Sequence, residues 1–173
     1  MQNPYYEFTI PVFVRSLINM KAFLEKAKAF SVEKGISEAD LLQARLAPDM
    51  FPLVKQVQIA GDNAKGAAGR LTGVEIPKMD DTEATIDELC ARIDKTLAYL
   101  NTFTPEQFSD AASKKIHLPW MPEGKNYEAP DYLRYFVLAN FYFHITTAYD
   151  ILRNQGMTIG KTDFIGDLAM VND

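Results

Sequence analysis

From Ile10 onward, apolar side chains at Phe13, Val14, Leu17, Met20, Leu24, Ala27 and Phe30 recur at spacings of three and four, the repeat that lays a single stripe along a helix. This predicts a first long helix. Pro11 falls in its opening turns, where a missing amide proton is tolerated, and Gly35 ends it. Ser37 is placed to cap a short turn through Leu41 and Leu42. After Pro48 a second stripe runs through Met50, Phe51, Val54, Val57, Gly61, Ala64, Ala68 and Leu71 and closes at Gly73. Its later half, GDNAKGAAG over 61–69, is built from small residues. Each interior glycine costs roughly 1 kcal/mol of helix propensity against alanine, so a close helix crossing, or room for another group, is the expected compensation.

Pro77 to Asp81 has linker composition, and a third helix beginning at Thr82 points Ile86, Leu89, Cys90, Ile93, Leu97 and Leu100 inward. Thr104 and Pro105 form an N-cap and first-turn pair for one further turn. KKIHLPWMPEGKNYE, residues 114–128, breaks the helical rhythm with two prolines and a glycine, which predicts an irregular loop or small hairpin. A fourth long helix then carries Tyr132, Leu133, Phe136, Val137, Asn140, Phe141, His144, Ala148 and Ile151, ended by Gly156. The tail from Gly160 to Asp173 is expected to pack through Phe164 and Ile165 and to fray beyond them. Four long amphipathic helices with almost no strand signal predict an all-α four-helix bundle, a single domain over 1–173.

Charge narrows the partners. A formal net charge of −5 leaves no cationic field for phosphate backbones, so nucleic acid is not expected. One cysteine, Cys90, excludes an internal disulfide and fits a reducing compartment. The start, MQNPYYEF, lacks a secretory pattern, and no apolar run has spanning length. These features predict a cytoplasmic protein with no membrane partner.

Chemistry has few residues to work with, because the chain holds only two histidines. His144 shares the inward face of its helix with Asn140 and Thr147, as a hydrogen-bonded core histidine, a metal ligand or an acid-base group; its neighbours at i+3 and i+4, Thr147 and Ala148, make a poor ligand set. His117 and Trp120 lie in the irregular loop, either as the lid of a bundle-end pocket or as a solvent-facing ring beside an aromatic plug. Asp62 and Asn63 either meet His144 in a polar cluster or belong to a solvated stripe with Lys65 and Arg70. Cys90 sits in an apolar stripe and does not have the setting of a reactive thiolate. Glu83, Asp87, Glu88 and Asp94 do not form the ExxH pairs of a di-iron bundle, and no GxGxxG, P-loop or GxSxG motif is present.

Three stretches, RLAPDMFPLVKQVQIAGDNAKGAAGRLTG (45–73), LPWMP (118–122) and NFYFHITTAYDILRNQGMTIGKTDFIG (140–166), resemble the DinB/YfiT-like superfamily. The resemblance implies a four-helix bundle, commonly dimeric, with a pocket at one end. In its enzymes three histidines, one on the second helix and two on the fourth, bind a divalent metal, and their activities include thiol-dependent transfer and hydrolase-like reactions. Carried onto this chain, His144 occupies the fourth-helix region, Ala148 stands where its paired histidine would be, and Asp62 or Asn63 would have to replace the histidine of helix two. What the resemblance leaves open is a weak magnesium or manganese site of hard ligands at His144. The leading expectation is a small-molecule-binding or accessory protein whose pocket draws on Asp62, Asn63, His117, Trp120, Asn140 and Thr147. Beside it stands a divalent-metal-dependent or histidine-based enzyme of the thiol-transferase or hydrolase type, with His144 catalytic. A structural homodimer with an exposed apolar helix face is the third.

Overall fold

The structure, a computed structural model, describes residues 3–168. After a short α1 (Pro4–Glu7), capped by the Asn3 side chain, α2 (Ile10–Lys34) carries the predicted stripe. Phe13, Leu17, Met20, Leu24 and Ala27 are all fully buried. Gly35 ends α2 at φ 65°, a left-handed value that glycine adopts without Cβ strain. Ser37 caps α3 (Glu38–Gln43) by accepting from Asp40 N.

The second and third long helices begin later than the apolar pattern suggests, for two local reasons. α4 (Leu53–Thr72) starts after Pro52, because a proline disfavours helical backbone in the residue before it and so keeps Phe51 out of the helix. α5 (Ile86–Leu100) starts four residues beyond Thr82. Glu88 reaches back to the amides of Ala84 and Thr85 at 2.7 and 3.0 Å, while Thr85 Oγ1 accepts from Glu88 N. This reciprocal cap fixes Thr85 as the boundary. Residues 74–84 are therefore extended chain lying over the bundle rather than helix.

Two 3₁₀ turns, Pro105–Phe108 and Ala111–Ser113, lead into a hairpin in which β1 (Lys115–Ile116) pairs antiparallel with β2 (Tyr127–Glu128). The chain then turns through α6 (Ala129–Asp131) and a π-helical stretch, Tyr132–Val137, into α7 (Leu138–Asn154). At 3.6 residues per turn Tyr132 would share the outward face of Ala139 and Phe143, seven and eleven residues on. The wider π turn rotates it inward, where it is fully buried, and leaves Arg134 and Tyr135 in solvent.

α4 is the central helix, packed on α7 along one side and on α5 along the other, with α2 closing the bundle. The Phe13 and Phe141 rings tie α2 to α7 with centroids 4.6 Å apart. After Gly156, α8 (Lys161–Ile165) returns to α2. Phe164 packs edge-on against Tyr149, whereas Ile165 is 42% exposed and its carbonyl accepts from Arg15 and Asn19. The expected fraying beyond this point falls largely on 169–173, outside the described residues. No helix among the described residues is long and apolar enough to cross a membrane.

Candidate functional site

Two clusters of buried polar groups flank α4, one on each side. On the α7 side, His144 is buried, and its Nδ1 lies 2.7 Å from Gln56 Oε1. The Gln56 amide is itself oriented, since Nε2 donates to Phe51 O at 2.9 Å. With Oε1 turned toward the ring, Nδ1 must carry the proton, and Nε2 keeps the lone pair. Burial alone lowers the His144 pKa from its ordinary value, so the ring is neutral at pH 7.

The sign of the pH effect follows. A depressed folded pKa gives full stability above the unfolded value of about 6.5, lost as pH falls toward the folded one. We expect ¹H–¹⁵N spectra at pH 7 to show the Nδ1–H tautomer of His144, and stability to drop as pH falls below about 6.5 by an amount that His144→Phe removes. An Nε2–H pattern would rule out the Gln56 bond.

The other sequence-predicted residues divide between the two places and the hairpin. Asn63 does face α7, but its Nδ2 donates to Val137 O at 3.2 Å. It lies seven residues, roughly 10 Å of helix rise, from Gln56, so it is bonded two turns away from the imidazole. Thr147 spends its hydroxyl proton on Phe143 O at 2.7 Å, and Asn140 is half-buried. His117 is exposed, its Nδ1 2.9 Å from Lys125 O. Trp120 does not plug the bundle end. Ile116 and Leu118 take the buried positions there, and Trp120, 64% exposed, leans on Tyr127 and Phe136.

Asp62 faces the opposite side, where a charged cluster forms between α4, α5 and the extended 74–84 segment. Its centre is Arg92, nearly completely buried. Nη2 contacts Asp62 Oδ1 at 2.9 Å and Asp81 Oδ1 at 3.0 Å, and Nη1 contacts Glu83 Oε1 at 2.9 Å and Asp80 O at 3.1 Å. Around it Lys65 reaches Asp62 Oδ1 at 3.0 Å and Pro77 O at 2.9 Å, Lys55 reaches Asp81, and Gln58 Nε2 donates to Glu83 Oε2 at 2.7 Å. Burial by itself would raise the Glu83 and Asp81 carboxyls. Hydrogen bonds from Arg92 and Gln58 to Glu83, and from Lys55 and Arg92 to Asp81, outweigh it and hold both below the ordinary carboxylate range.

Beside this cluster opens a cleft of about 660 Å³, lined among others by Lys78, Asp80, Glu83, Arg92, Lys95 and Tyr99. Arg92 Nε and Tyr99 Oη, both from its walls, and Gln58 Oε1 are buried without a protein partner. Sequence reasoning missed Gln56, Arg92 and Glu83. The available signal was Arg92 itself, a cation at an inward position of the α5 stripe, following the acidic run Asp80, Asp81 and Glu83.

The family model described as "Domain of unknown function (DUF1993)" matches residues 5–165. The chain belongs to this family. The DUF1993 chain is also similar to a solved structure, that of a DinB family member protein from Shewanella denitrificans, with 41% identity over 97% of this chain and 95% of the other and a TM-score of 0.92. No curated protein matches it. Together these make it a DinB-like all-α bundle of a family without an assigned function.

The three-histidine site that this fold implies can be tested against the side chains of the DUF1993 bundle. The helix-two group that meets His144 is the amide of Gln56, a weak donor already committed to Nδ1–H. Asn63 is bonded to Val137 O, and Asp62 is held by Arg92 and Lys65 on the other side of α4. Among the described residues no three His, Cys, Asp or Glu side chains are grouped so as to hold a metal ion. This donor set does not fit a tight divalent site. Cys90 offers no substitute, since burial, with Glu25 adding to it, pushes its thiol up to about 11.

Proposed function

We propose that the protein binds a small polar molecule in the cleft between the 77–83 segment and α5, and is not a three-histidine metalloenzyme. The observation that carries this reading is the cleft itself, about 660 Å³ and within the range of small-ligand sites, whose wall combines cationic and anionic side chains with the Tyr99 ring. Lys78 and Lys95 line the same cleft as Asp80, Glu83 and Glu88, so the matching ligand carries both signs of charge, as a free amino acid does.

Thermal shift against a panel of free amino acids and betaines tests this. At least one is expected to stabilise the wild type at millimolar concentration, and the combination of Lys95→Ala with Tyr99→Phe to abolish that gain. No stabilising compound, or a gain unchanged in the double variant, would refute it.

A second reading is favoured by the Gln56 to His144 bond. An imidazole held as the Nδ1–H tautomer presents Nε2 as a base, and a histidine-based enzyme would use it at the α4/α7 seam. The tautomer measurement above is its first requirement.

A further inference from the structure

A second cleft, of about 380 Å³, is built from different elements than the one beside Arg92. Tyr5 and Phe8 come to it from the α1 turn, Pro130 from α6, and Leu133, Arg134 and Leu138 from the π turn and the start of α7. Its wall is apolar apart from the Arg134 guanidinium and the Tyr5 hydroxyl. Among the described residues no acidic side chain lines it, and Arg134, exposed, makes no ion pair.

The π turn shapes this wall. Leu133 and Leu138 stand five residues apart, and at about 100° per residue α-helical winding would set them about 140° apart around the axis. The i→i+5 winding of Tyr132–Val137 brings both to one cleft together with Arg134. Such turns are rare and are found frequently at functional sites. The α1 wall is fixed as well, since Asn3 Nδ2 donates to Phe108 O at 2.8 Å and the Tyr6 ring packs edge-on against Phe108 with centroids 5.7 Å apart. The cleft is thus formed in the free chain, as small-molecule sites usually are.

We propose that this cleft binds a small aryl carboxylate, its ring among Phe8, Leu133 and Leu138 and its carboxylate on the Arg134 fork. One unpaired cation in an otherwise apolar wall matches one negative charge on an apolar body. A zwitterion of the kind proposed for the other cleft would leave its ammonium without a carboxylate partner here. An anionic membrane surface is not the occupant, because the chain's net charge of −5 opposes it. The volume lies toward the lower end of the range for small-ligand sites.

Titration of the full chain with 3-phenylpropionate, followed in ¹H–¹⁵N spectra, tests this against the neutral isostere 3-phenylpropionamide. The carboxylate is expected to shift the amides of 5–8 and 131–138 saturably in the millimolar range, and the amide to bind at least about tenfold more weakly, as the loss of a charged hydrogen-bond partner requires. Arg134→Gln should erase the difference between the two compounds, and Leu138→Trp, which fills the cleft, should remove binding of both. Arg134 is exposed, so its variant decides alone if Leu138→Trp fails to fold. Lys95→Ala combined with Tyr99→Phe should leave the titration unchanged, which separates this site from the amino-acid cleft. No saturable shift at these amides would overturn the proposal. So would equal affinity for the two compounds, a preference that survives Arg134→Gln, or binding lost in the Lys95 and Tyr99 double variant.

Discussion

Replacing Arg92 with alanine is expected to lower the unfolding free energy by about 3 kcal/mol, the low end of what breaking a buried ion pair costs. The full range is not reached, because two of the three carboxylates can recover water. Asp62 and Asp81 side chains are 43% and 39% exposed, against 11% for Glu83. Most of the loss therefore comes from Glu83, left buried with only Gln58 as a side-chain donor, and from the 77–83 segment, which loses its contacts through Asp80 O, Asp81 and Glu83. For a chain of this size that corresponds to a fall in Tm of roughly 6–12 °C. Arg92→Lys should recover less than half, since an ammonium cannot span Nη1 and Nη2 partners with a planar fork. Urea unfolding of the three proteins measures this, and a loss under about 1 kcal/mol would put Arg92 in the class of surface ion pairs.

The same cluster sets an acid limit. Glu83 and Asp81 have folded pKa values below their unfolded ones. Their contribution is present above about pH 4.3 and is lost as pH falls through the folded values. The wild type should therefore lose more stability below about pH 4.3 than Arg92→Ala does, because in the variant Arg92's share of the depression is gone while Gln58 and Lys55 keep theirs.

Why the sequence disclosed the bundle and not these contacts can be traced to α4. Helices α2 and α5 bury one stripe each, and a single three-four repeat describes them; Leu17, Leu24, Leu89 and Ile93 stand where the repeat puts them. α4 is buried nearly all round. One stripe through Val54, Val57, Ala64 and Ala68 captures a fraction of its inward positions and hides the two polar rows beside it. Gln56 and Asn63 face α7, while Gln58, Asp62 and Lys65 face α5 and the 77–83 segment. Asp62 and Asn63, adjacent in sequence, thus point to opposite partners. The inward register of His144 was legible because α7 is amphipathic. Its partner was not, because an amide at 56 carries no motif.

The small residues of α4 were legible as a demand for space, but their neighbours were not, and the three glycines separate on that ground. A Cβ at Gly61 would meet Thr96 Oγ1 at 3.4 Å, an ordinary contact. At Gly66 it would meet only the mobile tip of Arg70, which can swing aside. At Gly69 it would fall 2.3 Å from Ile76 Cγ1, 2.8 Å from Val74 O and 3.0 Å from Tyr99 Oη. One of these atoms is backbone, so relief requires moving the chain that leaves Gly73. Gly69→Ala gains about 1 kcal/mol of helix propensity and meets an overpacking cost of about 2–4 kcal/mol, near the top of the usual range because a main-chain atom must shift. The expected net result is destabilisation by about 1–3 kcal/mol. Gly61→Ala keeps the propensity gain and should be stabilising by up to about 1 kcal/mol. Thermal melts of the two variants, which share one chemical change on one helix, should therefore move in opposite directions. If Gly69→Ala also stabilised, the 74–76 segment would not rest on α4 as closely as its contacts with Gly69 require, and the wall that Tyr99 lends to the adjoining cleft would be free to move.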